Sequence, residues 1–172
     1  MIIIREATNV DLPAMLEIYN DVIVNTTAVY DYHPHTIEMR RQWFATKQEQ
    51  GFPVFVAEED GVIYGFSTIG PFRNWAAYKY SVENSIYVAA SARGKGIGKL
   101  LFPPIIKAAK DRNMHTIVSG IDATNEGSIK LHEHFGFVEV AHFKEVGYKF
   151  GKWLDLKFFQ LLLETPEYPE EN

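Results

Sequence analysis

The chain has no cysteine among its 172 residues. That excludes disulfides, thiolate metal sites and a cysteine nucleophile, and it fits a cytoplasmic protein. Long apolar runs are also missing: none approaches the roughly 20 residues that span a bilayer. The opening Met1-Ile2-Ile3-Ile4-Arg5 reads as a strand, not a signal peptide, so no membrane partner is expected. A basic excess is lacking as well. With 17 Lys and Arg against 22 Asp and Glu, the formal net charge is −5, which argues against nucleic acid as the main partner, since phosphate-backbone binding needs a broad basic face. Metal-ligand spacing is absent too. His132-Glu133-His134 lacks the H-E-x-x-H pattern, and two histidines two apart on a helix do not share a face. No metal is expected.

What is present is material for one domain with a full core, 47% hydrophobic and 14% aromatic. That domain is expected over residues 1–164, with 165–172 an acidic, proline-containing tail that frays. Thr8 and Asp11 are spaced as a capping-box variant opening a first helix, whose Leu12, Met15, Leu16, Tyr19 and Ile23 recur on one face. A second helix is expected from about residue 36 to 50, with Gly51 as its C-cap. Strands follow over 52–59 and 62–72, joined by Asp60-Gly61, a strong hairpin signal. Further strands are expected near 81–89, 115–121, 137–146 and 153–163, with helices at 99–112 and 126–135. Pro103 and Pro104 should kink or restart the first of these helices. The architecture expected is one mixed α/β domain.

The densest chemistry lies in Arg93-Gly94-Lys95-Gly96-Ile97-Gly98, between an apolar strand and the helix beginning Lys99-Leu100-Leu101. Glycines at a strand-to-helix junction let the backbone close around an anion, and the helix N-terminus adds amide donors. Arg93, Lys95 and Lys99 add charge. A Walker A loop fails, because position 93 is Arg and Gly98-Lys99 is followed by Leu100. A dinucleotide fingerprint fails because its third glycine would fall on Lys99 or Leu101. Downstream, Asn125, Ser128 and His132 fall on one stripe of a short helix, beside an apolar pair, Leu131 and Phe135. That polar stripe is either a solvated face or part of a site.

The order strand with an acid, R-x-x-G-x-G, helix, strand, then N-x-x-S-x-x-L-H-x-x-x-G-F resembles the GNAT superfamily of N-acetyltransferases over about residues 2–163. Four segments narrow it: residues 17–20, 25–30, 82–88 and 146–155 (EIYN, NTTAVY, VENSIYV and VGYKFGKWLD) resemble the phosphinothricin and methionine sulfoximine acetyltransferase branch. The resemblance implies a central twisted mixed sheet of about seven strands flanked by about four helices. It implies acetyl-CoA as co-substrate, held by Ile86, Tyr87 and Val88, by Arg93, Gly94, Lys95, Gly96, Ile97, Gly98 and Lys99, and by Asn125 and Ser128. It implies transfer to the α-amino group of small glutamate-like amino acids. Glu83 matches the general base, the Val88 N–H the donor to the thioester oxygen, and His132 a group assisting thiolate departure. Many superfamily members carry Tyr in place of His132.

An anionic acceptor needs cations. The resemblance gives that part to Arg73, a bidentate fork for carboxylate or phosphinate, and to Lys79, where relatives commonly carry Arg. Thr27, Tyr30, Phe72, Trp75 and Tyr78 are candidate pocket walls, with the core the competing place for the aromatics. Ala76 stands where some relatives carry an acid. Relatives are homodimers in which the loop equivalent to residues 148–153 approaches the partner's site, so a homodimer is expected. Two alternatives stand beside this reading: a GNAT enzyme for a peptide N-terminus, antibiotic or polyamine, and a non-catalytic acyl-CoA-binding module.

Overall fold

Local chemistry sets the joints between elements. In the computed structural model, which describes residues 1–171, Asp60 and Gly61 take φ of 52° and 81°, the left-handed pair of a tight hairpin turn. They join β2 (Val54–Glu59) to β3 (Val62–Pro71). The capping box forms as expected, with the Thr8 N–H donating to Asp11 Oδ2 at 2.7 Å. A 3-10 turn over Asn9–Asp11 precedes α1 (Leu12–Asn25), which has proline in its first turn. Thr36 caps α2 (Ile37–Glu49), accepting from the Met39 N–H, and Gly51 follows at φ 69°.

The remaining elements are β1 (Ile3–Glu6), β4 (Ser81–Val88), α3 (Ile97–Asp111), β5 (Thr116–Asp122), α4 (Glu126–His134), β6 (Val138–Lys149) and β7 (Lys152–Leu162). They form a mixed seven-stranded sheet in the order β1-β2-β3-β4-β5-β7-β6, together with four α-helices, as the sequence led us to expect. β4 and β5 are parallel, and β5 runs antiparallel to β7 along its whole length. The parallel ladder is short. It pairs Ser81–Glu83 with Thr116–Val118 and ends there.

Two compact units emerge, one of residues 1–68 with 85–105, the other of 69–84 with 106 onward. In the first, Leu12, Met15, Ile18 and Phe44 of the helices pack on Val54, Val56 and Phe66. Ala57, on the opposite face of β2, joins Ala92, Ile97 and Leu101. Gly65 of β3 fits because it has no side chain: a Cβ there would stand 2.7 Å from the Tyr87 carbonyl oxygen. In the second unit Val82, Ile117, Ile121, Leu154 and Phe159 are buried.

Two local expectations are corrected. α3 starts at Ile97, two residues early, and runs through Pro103 and Pro104 as one helix without restarting. Its Ile97, Leu101, Phe102, Ile105 and Ala109 are all fully buried, and that burial outweighs two lost amide donors. Residues 148–153 are not a loop: Tyr148 pairs with Trp153 and Lys149 with Lys152, around a two-residue turn at Phe150-Gly151. The tail makes hydrogen bonds over its described part. Thr165 Oγ1 donates to the Met114 carbonyl at 2.6 Å, and the Tyr80 hydroxyl bonds the Glu170 carbonyl and N–H at 3.0 and 2.9 Å.

Candidate active site

The glycine loop lies in the first unit. Gly94 and Gly96 have φ of 76° and 82°, a region where a side chain costs about 1–2 kcal/mol. The amides of Lys99 and Leu100 both turn back to the Gly96 carbonyl. A helix leaves its opening amides without internal acceptors, so those at Gly96, Ile97 and Gly98 are the donors available to an anion. Ile97 itself is core and anchors the helix start. Lys95 and Lys99 are exposed, whereas Arg93 is engaged: Nη2 meets Asp21 Oδ2 at 3.2 Å and Nε the Val88 carbonyl at 3.3 Å. This cradle of bare backbone, amides and cations fits a pyrophosphate group. On β4, Ile86 and Val88 pack toward the Ile97 cluster, and Tyr87 toward the α1–α2 cluster. Alternation along the strand sends neighbours to opposite faces.

In the second unit Glu83 occupies the last rung of the β4–β5 ladder. Its Oε1 would lie 3.6 Å from a Cβ on Gly120, so the carboxylate sits over a β5 position bare of side chain. Asn125 proves to be the N-cap of α4, its Oδ1 accepting from the Ser128 N–H at 3.1 Å. The Ser128 carbonyl takes the Nδ1 proton of His132 at 2.7 Å. A carbonyl only accepts, which assigns the tautomer. His132 Nε2 then accepts from Asn84 Nδ2 at 3.1 Å, and Asn84 Oδ1 accepts from the Ser119 hydroxyl.

His132 is only 4% exposed and meets the Phe137 ring edge-on. Burial pushes its pKa down to about 4, against a smaller upward pull from the Ser128 carbonyl. The stripe expected from spacing alone is thus not a solvated face. It is a neutral chain of hydrogen bonds running from half-buried Asn125 and Ser128 to buried His132, Asn84 and Ser119.

The acceptor-binding candidates split between the units. Phe72, Arg73, Asn74 and Trp75 line an open cavity of about 330 Å³ in the second. Arg73 stacks on Phe72 at 4.2 Å and bonds its own neighbour's carbonyl. Tyr78 meets Phe72 edge-on and Lys79 lies over the Tyr80 ring. Trp75 and Tyr78 are exposed, which settles the competition between core and surface for them. Thr27 and Tyr30 follow α1 in the first unit, the latter exposed and the former half-buried.

Asn84 and Ser119 were not singled out from the sequence. The signal existed: Asn84 alternates in phase with Val82 on a strand whose even positions face inward, and a buried amide must find partners. Among the described residues no group of three or more His, Asp or Glu side chains is placed to hold a metal ion. Nor is any helix long and apolar enough to cross a membrane.

A family model described as an acetyltransferase (GNAT) domain matches residues 4–157. The chain belongs to the GNAT acetyltransferase family. It is similar, at 38% identity over 97% of its length and 98% of the relative's, to an L-methionine sulfoximine/L-methionine sulfone acetyltransferase of Salmonella typhimurium. Among solved structures, an N-acetyltransferase from Staphylococcus aureus Mu50 matches with TM-score 0.93 and 54% identity, covering 94% of this chain and 98% of that one. A GNAT superfamily phosphinothricin acetyltransferase from Sinorhizobium meliloti, solved with acetyl-CoA, matches with TM-score 0.93 and 33% identity over 98% and 92%. The protein is therefore an acetyl-CoA-dependent N-acetyltransferase.

Proposed function

We propose that this GNAT enzyme acetylates the α-amino group of small glutamate-like amino acids, such as methionine sulfoximine, methionine sulfone and phosphinothricin. The observation that carries the reading is the near-full-length likeness to an enzyme named for the first two of these. An α-ammonium group must lose a proton before its nitrogen can attack a thioester, and Glu83 is the base in this reading. The Val88 N–H receives the negative charge that develops on the thioester oxygen. Arg73 holds the acceptor's carboxylate in a two-pronged grip and Lys79 adds a point charge.

His132 assists departure of the thiolate. Its one ring proton is committed to Ser128, so donation to sulfur from Nε2 requires Asn84 to withdraw and the imidazole to take up a second proton there. A thiol with pKa near ~8.5 is already a fair leaving group, which makes this help secondary. A cytoplasmic homodimer belongs to the same reading, supported by exposed Val146, Tyr148, Phe150 and Trp153 at the end of the β6–β7 hairpin, an apolar patch of the kind that marks interfaces.

Steady-state kinetics with methionine sulfoximine, methionine sulfone, phosphinothricin and glutamate side by side test the assignment. Saturation by the first three is expected, with Glu83→Gln losing on the order of 10²–10³ in kcat and His132→Ala clearly less. Saturation by none sinks the substrate class and leaves the family untouched.

A further inference from the structure

The charge of Arg93, first residue of the glycine loop, is already matched inside the protein. Its Nη2 meets Asp21 Oδ2 at 3.2 Å and its Nε donates to the Val88 carbonyl at 3.3 Å. Asp21 is held in turn, because its Oδ1 accepts from Asn25 Nδ2 at 2.8 Å. Residues four apart on α1 share a helix face, so Asn25 fixes the direction of that carboxylate. Asn25, Asp21 and Arg93 thus form a row of side chains that runs from α1 to the last peptide of β4. All of it lies within the first unit.

That peptide is gripped from both sides. Arg93 takes the Val88 carbonyl, and the Ala89 N–H donates to the Tyr64 carbonyl at 2.9 Å. The Val88 N–H, the donor to the thioester oxygen in the reading above, is one peptide back. Nε and Nη2 account for two of the five N–H bonds of the guanidinium, and Nη1 bonds no described residue. A carboxylate beside an anion cradle opposes an anion, and with Asp21 paired to it Arg93 adds no net charge. Lys95 and Lys99 supply that. Nor does the pair hold the fold together: its side chains are 45% and 37% exposed, and ion pairs so open to water contribute little to stability. What the row does provide is a fixed place for a long, rotamer-rich side chain.

We propose that Asp21 is a positioning residue of the co-substrate site. Backed by Asn25, it holds Arg93 so that the end of β4 and the opening of the glycine loop are set before acetyl-CoA arrives. This rests on the reading of residues 93–99 as the cradle of the pyrophosphate. Arg93 is then a strut between α1 and β4, and it reaches a ligand only through Nη1. Ordering such a side chain in advance removes that cost from binding, worth about threefold to tenfold in Kd.

Calorimetric titration of the whole enzyme with acetyl-CoA, without any amine, is the test. Asp21→Ala is expected to raise Kd about fivefold. In an Arg93→Ala background the same substitution is expected to change nothing further, because Asp21 acts through Arg93. Asp21→Asn keeps an oxygen within reach of Arg93 while removing the charge, and is expected to stay within about twofold of the wild type. The melting temperature of Asp21→Ala should stay within about 3 °C of the wild type, which separates positioning from folding. Were Asp21 only a repelling charge, Asp21→Ala and Asp21→Asn would both bind acetyl-CoA more tightly, and that result overturns the proposal. An unchanged Kd in Asp21→Ala overturns it too, as do equal losses with and without Arg93. Gly96→Ala, titrated alongside, reports on the cradle itself. A raised Kd there beside an unmoved Asp21→Ala rejects the strut and keeps the cradle, whereas both unmoved reject the two together.

Discussion

His132 shows what a single residue gains from its surroundings. The unfolded imidazole has pKa ~6.5, and burial pushes the folded one down to about 4. Between those values the unfolded chain binds the proton and the fold does not. The stability that His132 supports is therefore complete above pH ~6.5 and is lost as pH falls toward 4, by about 3 kcal/mol in all. Thermal melts from pH 7.5 to 4 are expected to show that decline, and His132→Gln should flatten it within that window. A variant as steep as the wild type there would contradict the assignment. The type and position of His132 were readable from its spacing after Asn125. Its tautomer was not, because that depends on Ser128 and Asn84, which only the folded α4 and β4 bring to its two nitrogens.

At the scale of elements, the glycine loop and α3 work as a pair. Gly94 and Gly96 hold backbone conformations that suit glycine, yet an added Cβ at either would meet nothing within 4 Å. Substitution is thus a conformational fault without a steric one. Gly96→Ala is expected to cost about 1 kcal/mol of stability and to raise KM for acetyl-CoA on the order of tenfold, with KM for the amine unchanged. Equal increases in both would show that the loop shapes more than the co-substrate's site. The motif was legible because it is local: three glycines and three cations in seven residues. The passage of α3 through two prolines was not. Propensity opposes it, and what overrides it is the burial of five side chains whose partners lie far away in sequence.

For the molecule as a whole, the β6–β7 hairpin tip carries Val146, Tyr148, Phe150 and Trp153 outward, with Tyr148 and Trp153 rings 5.1 Å apart. Light scattering of the wild type is expected to give twice the 19.7 kDa chain mass. Replacing Tyr148 and Trp153 together by Lys should shift it to the monomer without unfolding it, since both are exposed. A monomeric wild type removes the homodimer from the reading.

Element order, turn positions, the glycine motif and the family pattern were determined by the sequence alone, because each rests on neighbours a few residues apart: Thr8 with Asp11, Asp60 with Gly61, Gly94 with Gly96. Strand lengths near the hairpin end needed the partner strand, since pairing of Tyr148 with Trp153 overrode a segment that looked like a loop. Only the tertiary structure decided that the β4–β5 ladder stops at Glu83, that Asn84 and Ser119 extend the hydrogen bonds of His132, and that Arg40 is buried among aromatic rings. The first two depend on pairings across 35 residues or more, as between Asn84 and Ser119 or Asn84 and His132, and the third on Tyr19 and Phe66, which the fold brings to Arg40 from other elements. Burial and hydrogen-bond satisfaction belong to the packed chain, and no local pattern carries them.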